Sequence, residues 1–153
     1  MHHQDFHLIN KKEGGEPQQG DGNRWQNPQE GWFKVNCNAA LDMGGRRMGM
    51  GIILRNHEGK VRAAWNFTKP GLLDPATAEA TALFHGMKLC KELEVSNLVI
   101  EGDSQVVISA VQKRDASSSK FGHLIDDIVT VMSSSPRWQI GHVRRDANCA
   151  AHG

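Results

Sequence analysis

Three polar side chains in separate parts of the chain could together bind a divalent cation. Asn38 ends a predicted strand, Glu79 lies near the start of a predicted helix, and Asp103 follows a short apolar run. Carboxylate oxygens are preferred ligands of Mg²⁺, and an amide carbonyl can also ligate it. Two such cations about 4 Å apart can activate a water and stabilise the leaving oxygen in phosphodiester hydrolysis. The residue types therefore point to metal-dependent phosphodiester chemistry if the fold brings the three together.

Each carboxylate also has a purely structural interpretation. Asp103 or Ser104 could cap the helix that follows, and Glu79 could complement the helix dipole. Glu79, however, lies next to Ala80 near the apolar face of its helix, where an unpaired carboxylate is costly. Asn38 is neutral, so it could ligate one cation but could not bridge two as a carboxylate does.

The hydrophobic pattern predicts the elements that would position these residues. Three strands joined by tight turns come first, in the segments WFKVNC, MGMGIILR and KVRAAWNF. Asp74 and Pro75 then form an N-cap followed by proline at the first helical position, and apolar residues at helical spacing extend to about Leu93. The apolar strand 98–100, two helices, the strand RWQIGHV and the start of a last helix complete the chain.

This order, βββ-α-β-α-α-β-α, predicts an α/β fold. We expect a mixed five-stranded sheet, with three antiparallel strands and then parallel strands, flanked by helices. Sites in such sheets gather beyond the carboxyl ends of the parallel strands. Asp103 lies at one of these ends, which favours the site interpretation.

The composition predicts one soluble domain. The chain has 153 residues and a mean hydropathy of −0.50, without an apolar run long enough to cross a membrane or act as a secretory signal. Residues 1–30 are polar and predict a flexible N-terminal segment, because they cannot bury enough apolar surface to offset ordering entropy. Residues 31–153 form the predicted domain. The three cysteines show no CxxC pair, which argues against a disulfide framework or zinc site and for a cytoplasmic or nuclear location.

Five blocks in order resemble the ribonuclease H-type domains, in particular their plant reverse-transcriptase-like branch. The blocks span about 32–153 and are VNCNAA, GMGIILRNHEGKV, ATAEATAL, VIEGDSQVV and IGHVRRDANCAAH. The resemblance implies that Asn38, Glu79 and Asp103 stand at the first three catalytic positions, where they would bind the metal. It also places His142 at a mobile histidine position and His152 at the fourth catalytic position.

The resemblance implies hydrolysis of the RNA strand of an RNA–DNA hybrid, with Mg²⁺ or Mn²⁺ as cofactor. Family members read the shape of the hybrid and its 2′-hydroxyls rather than base sequence. A net charge of +1 permits this partner without requiring it, and the basic pairs could also be solvated loop charge. The predicted nucleic-acid contacts are Asn36, Arg46, Arg47, Ser104, Arg144, Arg145 and Asn148, of which Asn148 would anchor the histidine loop.

Two positions depart from the family pattern. Asn38 replaces the first aspartate, and His152 stands where the fourth carboxylate is expected, although neutral histidine is a poor Mg²⁺ ligand. Losing one electrostatic element of this kind costs at least about 10²–10³-fold in rate, so we expect weakened metal binding and little or no hydrolysis. The alternatives are a non-catalytic nucleic-acid-binding module and a degenerate, retroelement-derived remnant. We expect a monomer with a C-terminally short domain and no membrane partner.

Overall fold

Six strands and four helices make up the part of the chain that the computed structural model describes, which is residues 24–115 and 121–148 in full and the backbone of residues 3–8. The strands are β1 (His3–Leu8), β2 (Phe33–Asp42), β3 (Arg47–Arg55), β4 (Val61–Pro70), β5 (Leu98–Gly102) and β6 (Trp138–His142). The helices are α1 (Pro75–Glu92), α2 (Gln105–Lys113), α3 (Gly122–Ser133) and α4 (Arg145–Asn148). None of these helices is both long enough and apolar enough to cross a membrane.

All six strands belong to one mixed sheet with the order β1-β4-β3-β2-β5-β6. The pairs β1–β4, β4–β3 and β3–β2 are antiparallel, whereas β2–β5 and β5–β6 are parallel. The five-stranded arrangement predicted from the sequence, three antiparallel strands followed by parallel ones, is therefore confirmed for β2 to β6. The predicted order of helices between these strands is also observed.

β1 is a sixth strand that the sequence analysis did not predict. It pairs with β4 from His3↔Thr68 to Leu8↔Ala63. Residues 24–30 also pack on the domain, and Pro28 is buried. The expectation of a flexible segment is therefore wrong for residues 3–8 and 24–30, while the rest of that segment lies outside the described residues. The physical reason is that β4 would otherwise expose an unpaired row of backbone groups, which another strand can satisfy with few apolar side chains.

Helix α1 begins and ends where the sequence predicts. The Asp74 carboxylate accepts a hydrogen bond from the Thr77 backbone N–H at 3.2 Å, Pro75 occupies the first helical turn, and Leu93 is the C-cap. The helix packs against β2 and β3 through its apolar face. The main core cluster contains these fully buried large side chains: Val35, Met48, Ile52, Leu54, Trp65, Leu83, Met87, Leu98, Ile100, Ile108, Ile125 and Ile128.

A glycine in α1 allows a close approach between this helix and β2. A Cβ atom added at Gly86 would overlap the Sγ atom of Cys37 and would also contact Ile52. Because Gly86 is buried in the middle of α1, this contact sets how near the whole helix lies to β2. The same approach brings Glu79, two turns earlier in α1, to the backbone of β2.

We expect Gly86→Ala to destabilise the fold by about 1 kcal/mol. Overpacking costs about 1–3 kcal/mol, and the better helix propensity of alanine returns about 1 kcal/mol of that. Urea unfolding would measure the change. In a Cys37→Ala background, which removes the overlapping atom, the same substitution should be neutral or stabilising. An equal loss in both backgrounds would show that the Sγ overlap is not the cause.

Candidate active site

Asn38 lies in the middle of β2, at the level where the parallel neighbour β5 ends. The register Asn36↔Glu101 places Asn38 opposite Asp103, two residues further along. The Asn38 side chain is buried, and its Nδ2 donates a hydrogen bond to the backbone carbonyl of Asn148 at 3.2 Å. Its Oδ1 has no hydrogen-bond partner among the described residues. One buried oxygen therefore remains available to a ligand.

Glu79 reaches the same place from the second turn of α1. Its Oε1 accepts a hydrogen bond from the Ala39 backbone N–H at 3.3 Å, directly after Asn38 in the chain. Its Oε2 is buried and has no hydrogen-bond partner among the residues that the structure describes. Because Glu79 lies beyond the first helical turn, the interpretation as a first-turn dipole complement does not apply.

The environment of Glu79 strongly favours its protonated form. Burial, the largest cause, and the charge of Asp103 together raise the pKa of Glu79 from 4.5 to about 8. The Ala39 N–H and the charge of Arg145 lower this pKa in part. The charge of Asp103 therefore acts on Glu79, and a cation beside both carboxyl groups would favour the ionised form of Glu79.

Asp103 is free to take part because another residue caps the following helix. The Oγ of Ser104 accepts a hydrogen bond from the Val107 backbone N–H at 3.4 Å, which makes Ser104 the N-cap of α2. Asp103 is half-buried at the end of β5. Its side chain is therefore accessible to a ligand.

His142 lies one strand further along the same edge. It is the last residue of β6 and pairs with Gly102 of β5, directly before Asp103. The Val143 N–H donates to the Gly102 carbonyl at 3.0 Å, which extends this pairing by one bond. The His142 side chain is exposed. It is therefore accessible to a molecule that binds at this edge.

Asn148 connects α4 to β2 through both the amino group and the carbonyl oxygen of its side-chain amide. It is fully buried, its Nδ2 donates to the Cys37 carbonyl at 3.0 Å, and its Oδ1 accepts from Asn36 at 3.1 Å. Its backbone carbonyl accepts the bond from Asn38 described above. These bonds hold the four-residue helix against the strand that contains Asn38, although α4 has little intrinsic stability at that length.

Asn36 is a correction to the predicted nucleic-acid contacts. Its side chain is fully buried, and it donates to Glu101 at 3.0 Å and Asn148 at 3.1 Å while accepting from Trp25 at 2.7 Å. Its donors and its carbonyl oxygen are therefore engaged inside the protein. No surface of this side chain remains for a nucleic acid.

The other predicted contacts fall into two groups. Arg144 and Arg145 are exposed at the start of α4, and the charge of Arg145 reaches Glu79. Arg46 and Arg47 lie at the β2–β3 hairpin, where Arg47 pairs with Asp42. That pair is four residues beyond Asn38, about 13 Å along the strand, so these two arginines could touch only an extended ligand.

The described residues offer oxygen ligands for one small cation. They contain no group of three or more His, Cys, Asp or Glu side chains that could bind a metal. Glu79 nevertheless bonds the backbone directly after Asn38 and is affected by the charge of Asp103, and among the described residues Asn38 Oδ1 and Glu79 Oε2 are buried without a hydrogen-bond partner. This donor set suits a hard divalent cation that keeps several waters. His152, the fourth predicted position, lies outside the described residues.

The sequence analysis missed three residues beside the site. Lys34 and Glu101 form an ion pair at 3.2 Å with side chains that are only 8% and 12% exposed, and Trp25 lies over Lys34 at 5.2 Å. The available signals were an isolated tryptophan within a polar segment and a lysine between the apolar residues Phe33 and Val35. Neither signal identifies its partner, because the partners lie on different segments.

The sequence and the fold were compared with known protein families and solved structures. A family model described as reverse transcriptase-like matches residues 36–153, and no curated protein matches significantly in sequence. Among solved structures, ribonuclease H1 from the archaeon Halobacterium salinarum is 19% identical with a TM-score of 0.69, covering 79% of this chain and 92% of that one. The N-terminal ribonuclease H domain of a Mycobacterium tuberculosis protein is 17% identical with a TM-score of 0.69, covering 78% and 87%.

A third solved structure has a similar fold. LC11-RNase H1, determined in complex with an RNA/DNA hybrid, is 12% identical with a TM-score of 0.66, covering 78% of this chain and 91% of that one. At these identities the likeness concerns the fold alone, whereas the family model matches most of the sequence. The chain therefore belongs to the reverse transcriptase-like family and has the fold of ribonuclease H.

Proposed function

We propose that this chain binds RNA–DNA hybrids and, with Asn38 at the first catalytic position, hydrolyses the RNA strand slowly or not at all. The main support is the pair of buried oxygens, Asn38 Oδ1 and Glu79 Oε2, that have no hydrogen-bond partner among the described residues. A buried polar atom without a partner costs about 1–3 kcal/mol. The charge of Asp103 acts on Glu79, and the register of β2 and β5 places Asn38 at the level of Asp103, so one ligand could satisfy both atoms.

The ligand that fits these oxygens best is one divalent cation, Mg²⁺ or Mn²⁺. Glu79 and Asp103 would supply the negative charge and Asn38 a neutral oxygen, with water or phosphate oxygens at the other positions. When held by these residues, such a cation would supply activation of a water and stabilisation of the charge on the leaving oxygen. Because Asn38 lacks the charge of aspartate, we expect weaker binding of one cation and still weaker binding of a second.

The exposed residues at the same edge would engage the nucleic acid. Arg144 and Arg145 can neutralise backbone phosphates, a contact that is independent of base sequence. His142 is exposed at the same edge, where a bound hybrid could contact its side chain. LC11-RNase H1, which shares this fold, was determined with a bound RNA/DNA hybrid. That precedent supports the hybrid as the preferred substrate class.

A second candidate function is a nucleic-acid-binding module without catalysis. It is favoured by the hydrogen bond from Asn38 Nδ2 to the Asn148 carbonyl at 3.2 Å. An ionised aspartate has no N–H to donate and would place its charge against that carbonyl. The amide at position 38 therefore contributes a hydrogen bond to the fold that an aspartate could not make. This is the arrangement expected of a chain that binds nucleic acid without hydrolysing it.

We expect the native chain to bind a labelled hybrid with an affinity that falls steeply with salt. The variant Arg144→Gln/Arg145→Gln should bind about tenfold more weakly, and its slope of log affinity against log salt should be smaller by about 2. A charge-matched control is Arg62→Gln/Lys113→Gln, because both residues are exposed and neither belongs to the candidate site; Arg62 lies at the start of β4 and Lys113 at the end of α2. Fluorescence anisotropy with hybrid, duplex RNA and duplex DNA, in Mg²⁺ or Mn²⁺, measures both quantities.

The outcomes separate the candidate functions. Hybrid binding with slow cleavage supports the proposal, and binding without cleavage in either metal supports the module. An equal loss in both double variants would place the interface elsewhere. Absence of binding at low salt would contradict both functions and leave the remnant that the sequence analysis kept open.

A further inference from the structure

An N-terminal arm packs against the sheet beside the candidate site, although it precedes the region that matches the family model. The arm is defined here as residues 24–29. The Trp25 ring lies 5.0 Å from the Arg55 guanidinium and 5.2 Å from the Lys34 ammonium. The Lys34 Nζ also donates a hydrogen bond to the Gln26 carbonyl at 2.6 Å. These contacts attach the arm to β2 and β3.

A chain of hydrogen bonds leads from the arm to α4. The Trp25 Nε1 donates to Asn36 Oδ1 at 2.7 Å, and Asn36 Nδ2 donates to Asn148 Oδ1 at 3.1 Å and to Glu101 at 3.0 Å. The indole N–H can only donate, so it holds the oxygen of Asn36 toward the arm. The Asn36 amino group then faces Asn148, whose own amino group faces the Cys37 carbonyl at 3.0 Å.

The last step of this chain concerns Asn38. Its amino group donates to the backbone carbonyl of Asn148, which leaves the Asn38 oxygen buried beside Glu79 and without a partner among the described residues. The helix that contains Asn148 also contains Arg145, whose charge acts on Glu79. A shift of α4 would therefore change the orientation of Asn38 and the charge around Glu79 together.

We propose that Trp25 is a positioning residue of the candidate active site, acting on Asn38 through Asn36 and Asn148. The arm then contributes to the site, although it lies outside the region that matches the family model. This role rests on the proposed function, because it requires that Asn38 belong to an active site. The hydrogen-bond chain itself can be tested without any activity.

The first test uses the variant Trp25→Phe of the native chain. Phenylalanine keeps a ring over Lys34 and Arg55 but removes the N–H. In NMR spectra we expect the side-chain amide signals of Asn148 and Asn38 to shift and to exchange with solvent about tenfold faster, as for the loss of one hydrogen bond. Trp32→Phe is the matched control, because Trp32 is half-buried nearby and takes no part in this chain. It should leave these signals unchanged.

The second variant, Trp25→His, restores a ring N–H and should return the signals toward those of the native chain. If Trp25→Phe does not fold, native-like signals in Trp25→His still support the role of the donor. The proposal is overturned if Trp25→Phe lowers the unfolding midpoint while the signals of Asn148 and Asn38 stay in place, since that result describes a structural contact only.

The third test measures kinetics in the Asn38→Asp background. Aspartate at position 38 cannot donate to the Asn148 carbonyl, so in this background Trp25 acts through Asn36 and Asn148 on the position of α4. Trp25→Phe should then lower kcat about tenfold and leave KM within about twofold, because Trp25 itself does not contact the hybrid. A change in KM alone would overturn the positioning role by showing that the arm contacts the hybrid. If Asn38→Asp neither binds nor cleaves hybrid while the NMR signals respond to Trp25→Phe, the proposed function fails and the link from Trp25 to Asn38 stands.

Discussion

Asn38→Asp is expected to raise the rate of hybrid cleavage at least about 100-fold over the native chain in Mg²⁺ or Mn²⁺. The substitution places a third carboxylate opposite Asp103 and beside Glu79, where the register of β2 and β5 brings position 38. A carboxylate can bridge two cations, which an amide oxygen cannot. Cleavage of an end-labelled hybrid under single-turnover conditions measures the change.

The same substitution should weaken the fold when metal is removed. Aspartate cannot donate to the Asn148 carbonyl, and its charge would add to that of Asp103, which already raises the pKa of Glu79. We expect a loss of about 1–3 kcal/mol in a chelating buffer, partly recovered when Mn²⁺ binds the folded state. Urea unfolding with and without metal measures both effects.

A double variant controls for unspecific nuclease. Asn38→Asp/Glu79→Gln retains the new carboxylate but lacks the neighbouring one, so it should return to the rate of the native chain. The active-site proposal would be rejected if this double variant cleaved as fast as Asn38→Asp. If the single variant folds and binds hybrid without cleaving it, the non-catalytic module is the correct function.

Glu79→Gln is expected to stabilise the metal-free protein at pH 8 by about 2 kcal/mol. Burial and Asp103 raise the pKa of Glu79 from 4.5 to about 8. The folded state therefore keeps a proton that the unfolded state releases, so stability falls as the pH rises from about 4.5 to about 8. Each pKa unit corresponds to about 1.4 kcal/mol, and the partial solvent exposure of Glu79 reduces the sum to roughly half.

Glutamine removes this dependence and keeps the main contact. Its amide oxygen can still accept the hydrogen bond from the Ala39 N–H. Urea unfolding in a chelating buffer at pH 5 and pH 8 should show a pH-dependent loss in the native chain that is smaller in the variant. Glu92→Gln, an exposed change at the end of α1, is the control and should leave the dependence unaltered. Identical pH profiles for native chain and Glu79→Gln would contradict the assigned environment.

Much of the fold followed from local patterns. Asp74 and Pro75 predicted the start of α1, and the apolar spacing predicted its length, because capping and helical periodicity are properties of neighbouring residues. The element order predicted a mixed sheet, and its carboxyl edge identified the place of Asp103. Glu79 was recognisable as an unusual acid because of its position near an apolar helix face.

The remaining features depended on segments far apart in the chain. The hydrogen bond from Asn36 to Asn148 joins residues 112 positions apart, and no local pattern distinguishes a buried amide from an exposed one. The pairing of β1 with β4 likewise follows from an available sheet edge rather than from the composition of residues 3–8. From polarity alone, residues 3–8 were expected to be flexible and Asn36 to contact a nucleic acid. The structure instead shows a paired strand and a fully buried amide.

The sequence by itself determined which elements form, their order and the residue types that could bind a cation, because periodicity, caps and turns act over a few residues. Only the tertiary structure decided that Asn38 and Glu79 keep buried oxygens without partners among the described residues, and that Trp25 connects to them through Asn36 and Asn148. The burial of a side chain and the pairing of its polar atoms depend on the tertiary structure, because the groups that cover it or bond to it come from distant segments of the chain.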